Sequence, residues 1–328
     1  MALGLGEQEE AGGGGMRVGA IDLGSNTVRL IVADVDDQGL RPLARELATP
    51  RLGQGLSPGQ RLRPAARREA SRAVKDFTAT ARRMGASKIV LGATQACRIA
   101  SDGQQFVNQL QEELGLDWAV VLSPEEEAAL AREGVKAVLE GPRRGAWVAD
   151  VGGGSTELVA LEGRVEAVSL GVGAVVITQE WLTAEPPSAA QIQGAMGQVV
   201  AMARDNGPRE VGRLIVTGGT AATVASILQG LDTYKPEALD NYRVGVGRVW
   251  WMLLWLGGME LSRRRRLRGM IEPRRAEVIV GGLVVVAGLV RAFGVEEITT
   301  MNAGLLEGLA LAAGKESGNA GDSPCPDL

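Results

Sequence analysis

Two short segments carry the residue types that could do chemistry on a phosphate. The first reads Ile21-Asp22-Leu23-Gly24-Ser25-Asn26-Thr27, the second Ala149-Asp150-Val151-Gly152-Gly153-Gly154-Ser155-Thr156-Glu157. In each, a carboxylate precedes glycines and hydroxyl or amide side chains. Glycine lets the backbone come close to a ligand and offers bare N–H groups, which form a concavity suited to phosphate oxygens. An aspartate beside such a turn repels a phosphate directly, but it can hold a divalent metal or a water between the two. A third cluster, Val216-Thr217-Gly218-Gly219-Thr220, could turn the amides of a helix start toward a phosphate, or be a plain strand-to-helix turn. Thr94 and Arg98 pair a hydroxyl with a guanidinium fork that matches phosphate geometry. The run Glu125, Glu126, Glu127 is an acidic helix start, read either as dipole compensation or as a source of a general base.

These groups need elements to position them. Apolar runs flank each of the first two segments: Val18–Ile21 and Val28–Val32 around the first, Trp147–Ala149 and Leu158–Leu161 around the second. This pattern predicts two β-hairpins whose tight turns carry the polar residues. In the first half, strands are expected at 17–22, 28–35, 41–48, 88–91 and 118–122, with helices at 64–84, 106–114 and 124–139. The second half restarts with strands at 146–150, 155–161, 164–169, 213–217 and 296–300. Its helices are expected near 174–183, 189–204, 219–228, 245–257, 274–293 and 304–313. Strands in hairpins followed by alternating helices and strands, twice over, predict an α/β protein of two similar halves. Domain I is placed at 16–125 and domain II at 126–314, with a ligand cleft between them and disordered tails at 1–15 and 315–328.

Composition removes whole classes of chemistry. The 328 residues contain no histidine, which excludes Ser-His-Asp and Cys-His nucleophile systems and histidine-liganded metal centres. Acid–base work falls to carboxylates, Lys, Arg, Tyr or bound water. With 35 basic and 39 acidic residues there is no electrostatic footprint for nucleic acid. The longest apolar run, Val278–Val290, has thirteen residues, too few for a membrane span of about twenty. Two cysteines, Cys97 and Cys325, make no disulfide scaffold, and with no secretory signal the expected setting is the cytoplasm.

The strings VGAIDLGSNTVRLIVADV, GATQACR, SPEEEAALA, WVADVGGGSTELV, SLGVGA and TGGTAATVA follow in order. Together they resemble the exopolyphosphatase/guanosine pentaphosphate phosphohydrolase family, in its short two-domain form. The likeness spans about residues 16–313, and D-L-G-S-N-T joined to D-V-G-G-G-S-T-E is its most specific part. The resemblance implies two actin-like (ribonuclease H-like) domains, as in actin, sugar kinases and heat-shock ATPases. It implies a hydrolase that removes a terminal phosphate from inorganic polyphosphate, with Mg²⁺ or another divalent metal. Glu127 falls on the family's general base, beside Glu126. Asp22 and Asp150 fall on the aspartates that position metal and water, and Glu157 on a further acidic position. Gly24, Ser25, Asn26, Thr94, Arg98, Gly152, Gly153, Gly154, Ser155 and Gly173 fall on phosphate-contacting positions. Gly218, Gly219 and Thr220 resemble an adenosine-side loop.

Two departures stand out: Pro124 where the family has glycine, and Leu306 in Gly304-Leu305-Leu306-Glu307-Gly308 where it has arginine. The alternatives are a guanosine pentaphosphate phosphohydrolase, a polyphosphate or nucleotide kinase, and a polyanion sensor without turnover. Arg263–Arg268 could be a landing strip for a polyanion or a solvated helix end, and Trp250, Trp251 and Trp255 fit a core or homodimer contact better than a base-stacking platform.

Overall fold

The computed structural model describes residues 15–163 and 166–315. The tails expected to be disordered lie outside these residues, apart from Gly15 and Lys315. The chain divides into two compact units, Met1–Leu130 with Leu305–Leu328, and Ala131–Gly304.

The first unit is built on β1 (Met16–Leu23), β2 (Val28–Asp36) and β3 (Gly39–Ala48), a meander of antiparallel strands. Helix α1 (Pro64–Arg83) then crosses to β4 (Lys88–Ala93), which lies parallel to β1. Helices α2 (Gln95–Ile99) and α3 (Gly103–Leu114) lead to β5 (Trp118–Val121), parallel to β4. The sheet order is β3-β2-β1-β4-β5. Alternation along the hairpin sends Ile21, Leu23, Leu30 and Val32 to one core, where Val74, Phe77 and Ala81 of α1 and Phe106 and Leu110 of α3 meet them. Burial on both faces explains the continuous apolar reading of β1 and β4.

Helix α4 (Pro124–Val138) runs on into the second unit, where β6 (Ala146–Val151), β7 (Thr156–Ala160) and β8 (Ala167–Leu170) repeat the meander. Next come α5 (Ala174–Glu180), α6 (Ala189–Asn206) and β9 (Arg213–Thr217), which is parallel to β6. Helices α7 (Gly218–Gln229) and α8 (Pro236–Leu239) precede β10 (Tyr242–Gly245). Helices α9 (Val246–Gly257) and α10 (Leu261–Arg264), a 3-10 turn at Pro273–Glu277 and α11 (Ile279–Phe293) lead to β11 (Glu297–Thr300), then α12 (Leu305–Lys315). The second sheet reads β10-β11-β9-β6-β7-β8. Its last five strands repeat the first sheet's order, so both units have the ribonuclease H-like topology of the actin-like fold. Helix α11 is buried over Ile279–Val290, and its Leu283, Val284 and Val286 share one core with Ala149, Leu158 and Val216 of the sheet.

Three expectations are corrected. Helix α12, assigned from sequence to the second half, packs on β1, β2 and β4 of the first sheet. The helix expected over 274–293 is broken at Val278, which separates the 3-10 turn from α11. Strand β10 has no counterpart among the expected strands; its four residues are too short for a period to register, and antiparallel pairing with β11 creates it.

Candidate active site

In the first unit the site residues lie at the carboxyl ends of β1, β4 and β5, the usual ligand edge of an open α/β sheet. Asp22 is 3% exposed, and register places it opposite Arg29 across the hairpin. Arg29 donates to Asp22 Oδ2 from Nε at 2.9 Å and Nη2 at 2.5 Å. Asp22 Oδ1 is buried and has no hydrogen-bond partner among the described residues. The turn closes with the Gly24 amide donating to Thr27 O at 2.9 Å. The carbonyls of Ser25 and Asn26 accept from Gly53 and Arg51, at 2.8 and 3.0 Å.

Thr94 follows β4 and is 6% exposed, its amide donating to Leu23 O at 3.1 Å beside Asp22. One helical turn later, Arg98 Nη1 donates to Leu122 O at 2.6 Å and to Glu127 Oε2 at 3.1 Å. Glu127 is about one-third exposed. Its position is set by a reciprocal cap: the Glu126 amide donates to Ser123 Oγ at 3.1 Å, and the Ser123 amide to Glu126 Oε2 at 2.8 Å. Glu126, expected beside Glu127 as a second catalytic carboxylate, is thereby turned back onto the helix start. Pro124 does not displace the helix; it takes the first helical position, where its fixed φ and missing N–H fit.

The second unit repeats this edge with different groups. Asp150 pairs across β6–β7 with Glu157, so two carboxylates stand opposite each other where the first hairpin has Asp22 and Arg29. Ser169 Oγ donates to Glu157 at 3.1 Å. The Gly152 amide donates to Ser155 O at 3.0 Å, matching the turn of the first hairpin. Gly153 and Gly154 are exposed. Gly173 has a packing role: a Cβ there would fall 2.5 Å from Gly153 O. The α5 amides of Ala174 and Val175 donate to the carbonyls of Gly152 and Gly153, both at 2.9 Å, so that helix start holds the loop.

Gly218 opens α7 at φ +84, a conformation L side chains rarely adopt, and a Cβ there would meet Asp150 Oδ1 at 2.7 Å. Over Gly219 lies the Arg275 guanidinium, 2.3 Å from the place of a Cβ and tied to Glu272 at 3.0 Å. Thr220 is buried beneath α11.

Two arginines missed from sequence therefore belong to these loops. Arg29 had a signal, since a tight hairpin turn after Asp22 brings the residue seven further on into register with it. Arg275 had none, because only packing brings it to Gly219. Within the arginine run, Arg264 is 1% exposed and bonds Met259 O, Ala276 O and Glu185, Arg265 pairs with Glu277, and Arg268 with Asp232, while Arg263 and Arg266 are exposed. Trp251 and Trp255 stack at 4.9 Å, with Trp251 51% exposed.

Residues 31–315 match the Ppx/GppA phosphatase family. The chain belongs to that family. Exopolyphosphatase 2 of Mycobacterium tuberculosis is 32% identical over 313 residues, 90% of this chain and 98% of that protein. Exopolyphosphatase 1 of Mycobacterium leprae is 27% identical, covering 90% of this chain and 89% of its own length. Among solved structures, the Aquifex aeolicus Ppx-GppA enzyme superposes with a TM-score of 0.80 at 26% identity, covering 91% of this chain and 99% of that one.

The family implies a divalent metal. Among the described residues no three carboxylate or thiol side chains gather into a ready-made cage. Mg²⁺ needs none, since it keeps several waters and takes one or two carboxylates plus substrate phosphates. The orphaned Asp22 Oδ1 and the facing pair Asp150 and Glu157 are donors that fit it. No described helix is long and apolar enough to cross a membrane.

Proposed function

We propose that the chain is an exopolyphosphatase, a phosphoanhydride hydrolase that removes the terminal phosphate of inorganic polyphosphate in the cytoplasm. The observation that carries the reading is Glu127: a partly exposed carboxylate at a capped helix start, held by Arg98 at 3.1 Å. It sits on the same sheet edge as the Ser25–Asn26 turn. The end-to-end likeness to proteins named exopolyphosphatase supports the choice of substrate.

Hydrolysis of a terminal phosphoryl group asks for positioning and charge neutralisation rather than covalent help, which suits a chain without histidine. Glu127 accepts the proton of a water as its oxygen bonds the terminal phosphorus. The bond from phosphorus to the bridging oxygen breaks, and orthophosphate leaves a chain one unit shorter. Arg98 orients Glu127, and the turns at Gly24–Asn26 and Gly152–Ser155 offer amides and hydroxyls to phosphate oxygens. Asp22 in the first unit, and separately Asp150 with Glu157 in the second, are the carboxylates that would hold Mg²⁺, which when bound offsets phosphate charge.

The test is orthophosphate release from long-chain polyphosphate and from guanosine pentaphosphate, in parallel, with Mg²⁺ present. Release from polyphosphate should fall by about 10²–10⁴ in Glu127→Gln while binding persists. Release confined to the nucleotide would transfer the assignment to alarmone turnover, and unchanged activity in Glu127→Gln would remove Glu127 from the chemistry.

A further inference from the structure

Arg51 has an unusual backbone and a location that the chemistry has not used. Among the described residues only two non-glycines have positive φ, Arg51 at 54° and Asn241 at 56°. Asn241 is explained by its own side chain, which accepts from Glu140 N and donates to Val138 O, both at 2.9 Å. Asparagine tolerates the left-handed region, whereas a long side chain there is disfavoured unless its surroundings impose it.

The surroundings of Arg51 are the first phosphate-type turn. Its amide donates to Asn26 O at 3.0 Å, its carbonyl accepts from Gln54 N at 3.1 Å, and the Gly53 amide donates to Ser25 O at 2.8 Å. Pro50 and Leu52 on either side are buried, so the segment is pinned while Arg51 itself stays half-buried. A glycine would satisfy this backbone without strain, yet the position carries a guanidinium. That guanidinium has no hydrogen-bond or ion-pair partner among the described residues.

Charge gives the reason. On this edge of the first unit the two site arginines are bonded to carboxylates, Arg29 to Asp22 and Arg98 to Glu127, with Glu126 close by. Three carboxylates against two guanidiniums leave the edge net anionic, the wrong sign for a polyphosphate end. Arg51, pinned to the turn by its backbone, brings the one further guanidinium that balances this count, and no carboxylate bonds it among the described residues.

We propose that Arg51 is a further substrate-binding residue, its guanidinium engaging a phosphate of the chain beside the unit received by the Ser25–Asn26 turn. The proposal rests on the polyphosphate reading of the site. It predicts opposite signs for stability and affinity in a single variant. Arg51→Gly relieves the left-handed strain, so its melting temperature should equal or exceed that of the unchanged protein, while KM for polyphosphate rises about tenfold or more with kcat changed far less. Arg51→Lys should recover part of the affinity and none of the stability. An unaltered KM in a well-folded Arg51→Gly would overturn the proposal and leave Arg51 a structural residue.

Direct binding of long-chain polyphosphate to the intact protein, with and without Arg51→Gly, separates this from the assignment of activity. If the unchanged protein binds polyphosphate but releases no orthophosphate, the hydrolase reading fails alone, and a tenfold weaker Arg51→Gly complex still supports Arg51. Equal binding by both proteins, or binding by neither, refutes the role of Arg51.

Discussion

Glu127 and Cys97 show how environment, rather than residue type, assigns roles in this chain. Glu127 is partly exposed and held by Arg98, the setting of a group that meets water and substrate. Cys97 lies one residue before Arg98 on the same short helix, yet it is 1% exposed. Burial, reinforced by the charge of Asp102, pushes its thiol up to about 12. The folded protein keeps that proton, whereas the unfolded chain releases it near 8.5. Stability from this group is therefore complete below about pH 8.5 and declines as pH rises toward 12, by at most about 1.4 kcal/mol per pH unit. Maleimide should leave Cys97 unmodified in the native protein at pH 7.5 and label it on unfolding, as mass spectrometry would show. Rapid native labelling would contradict the burial.

At the scale of elements, the proposed base Glu127 is aimed by a cap and the second loop by a helix-to-helix contact. Ser123→Ala removes one arm of the reciprocal cap, the hydroxyl that accepts from the Glu126 amide, while the backbone amide of residue 123 still donates to Glu126 Oε2. The expected loss is about 1 kcal/mol of stability. Because Glu127 is the next residue, kcat should also fall with KM little changed, a split that steady-state kinetics would read. In α11, Gly281 lets the helix lie against the start of α5. A Cβ there would fall 2.4 Å from both Ala174 O and Thr178 Oγ1. Alanine would gain about 1 kcal/mol in helix propensity, but overpacking against a backbone carbonyl costs about 1–3 kcal/mol. Gly281→Ala should therefore lower the melting temperature. Since α5 holds the Gly152–Gly153 loop, activity should fall with it.

At the scale of the whole molecule, α12, the last helix among the described residues, packs on the first sheet rather than the second. Lys88 Nζ donates to Ala313 O at 3.2 Å, and Arg45 of β3 is ion-paired with Glu307, which is 1% exposed. Leu306, which stands where the family has arginine, is 4% exposed and packs as an ordinary core residue. Arg45→Ala takes one partner from the buried Glu307 carboxylate, and losing one side of a buried pair typically costs about 3–5 kcal/mol. Arg45→Ala should show a loss of that order in denaturant unfolding. Arg45→Ala with Glu307→Gln should recover part of it, and additive losses in the double variant would show that the pair is not coupled.

What the sequence determined by itself is local and periodic. The two Asp-Gly hairpins, the strand-to-helix turn at Gly218, the doubled α/β pattern and the acidic helix start at Glu125–Glu127 all follow from spacing within about ten residues, where propensity and alternation act directly. The absence of histidine limits the chemistry whatever the fold, because no packing can supply an imidazole the chain lacks. What only the tertiary structure decided depends on contacts between distant segments. It turned Glu126 into a cap and Gly173 into a packing residue, and it spent Arg264 in the interior. It brought Arg275 over Gly219, pinned Arg51 to the first turn and gave α12 to the first sheet. A charge run or a glycine motif reads the same in sequence whether it faces solvent, a carboxylate or a backbone carbonyl, and packing alone distinguishes these outcomes.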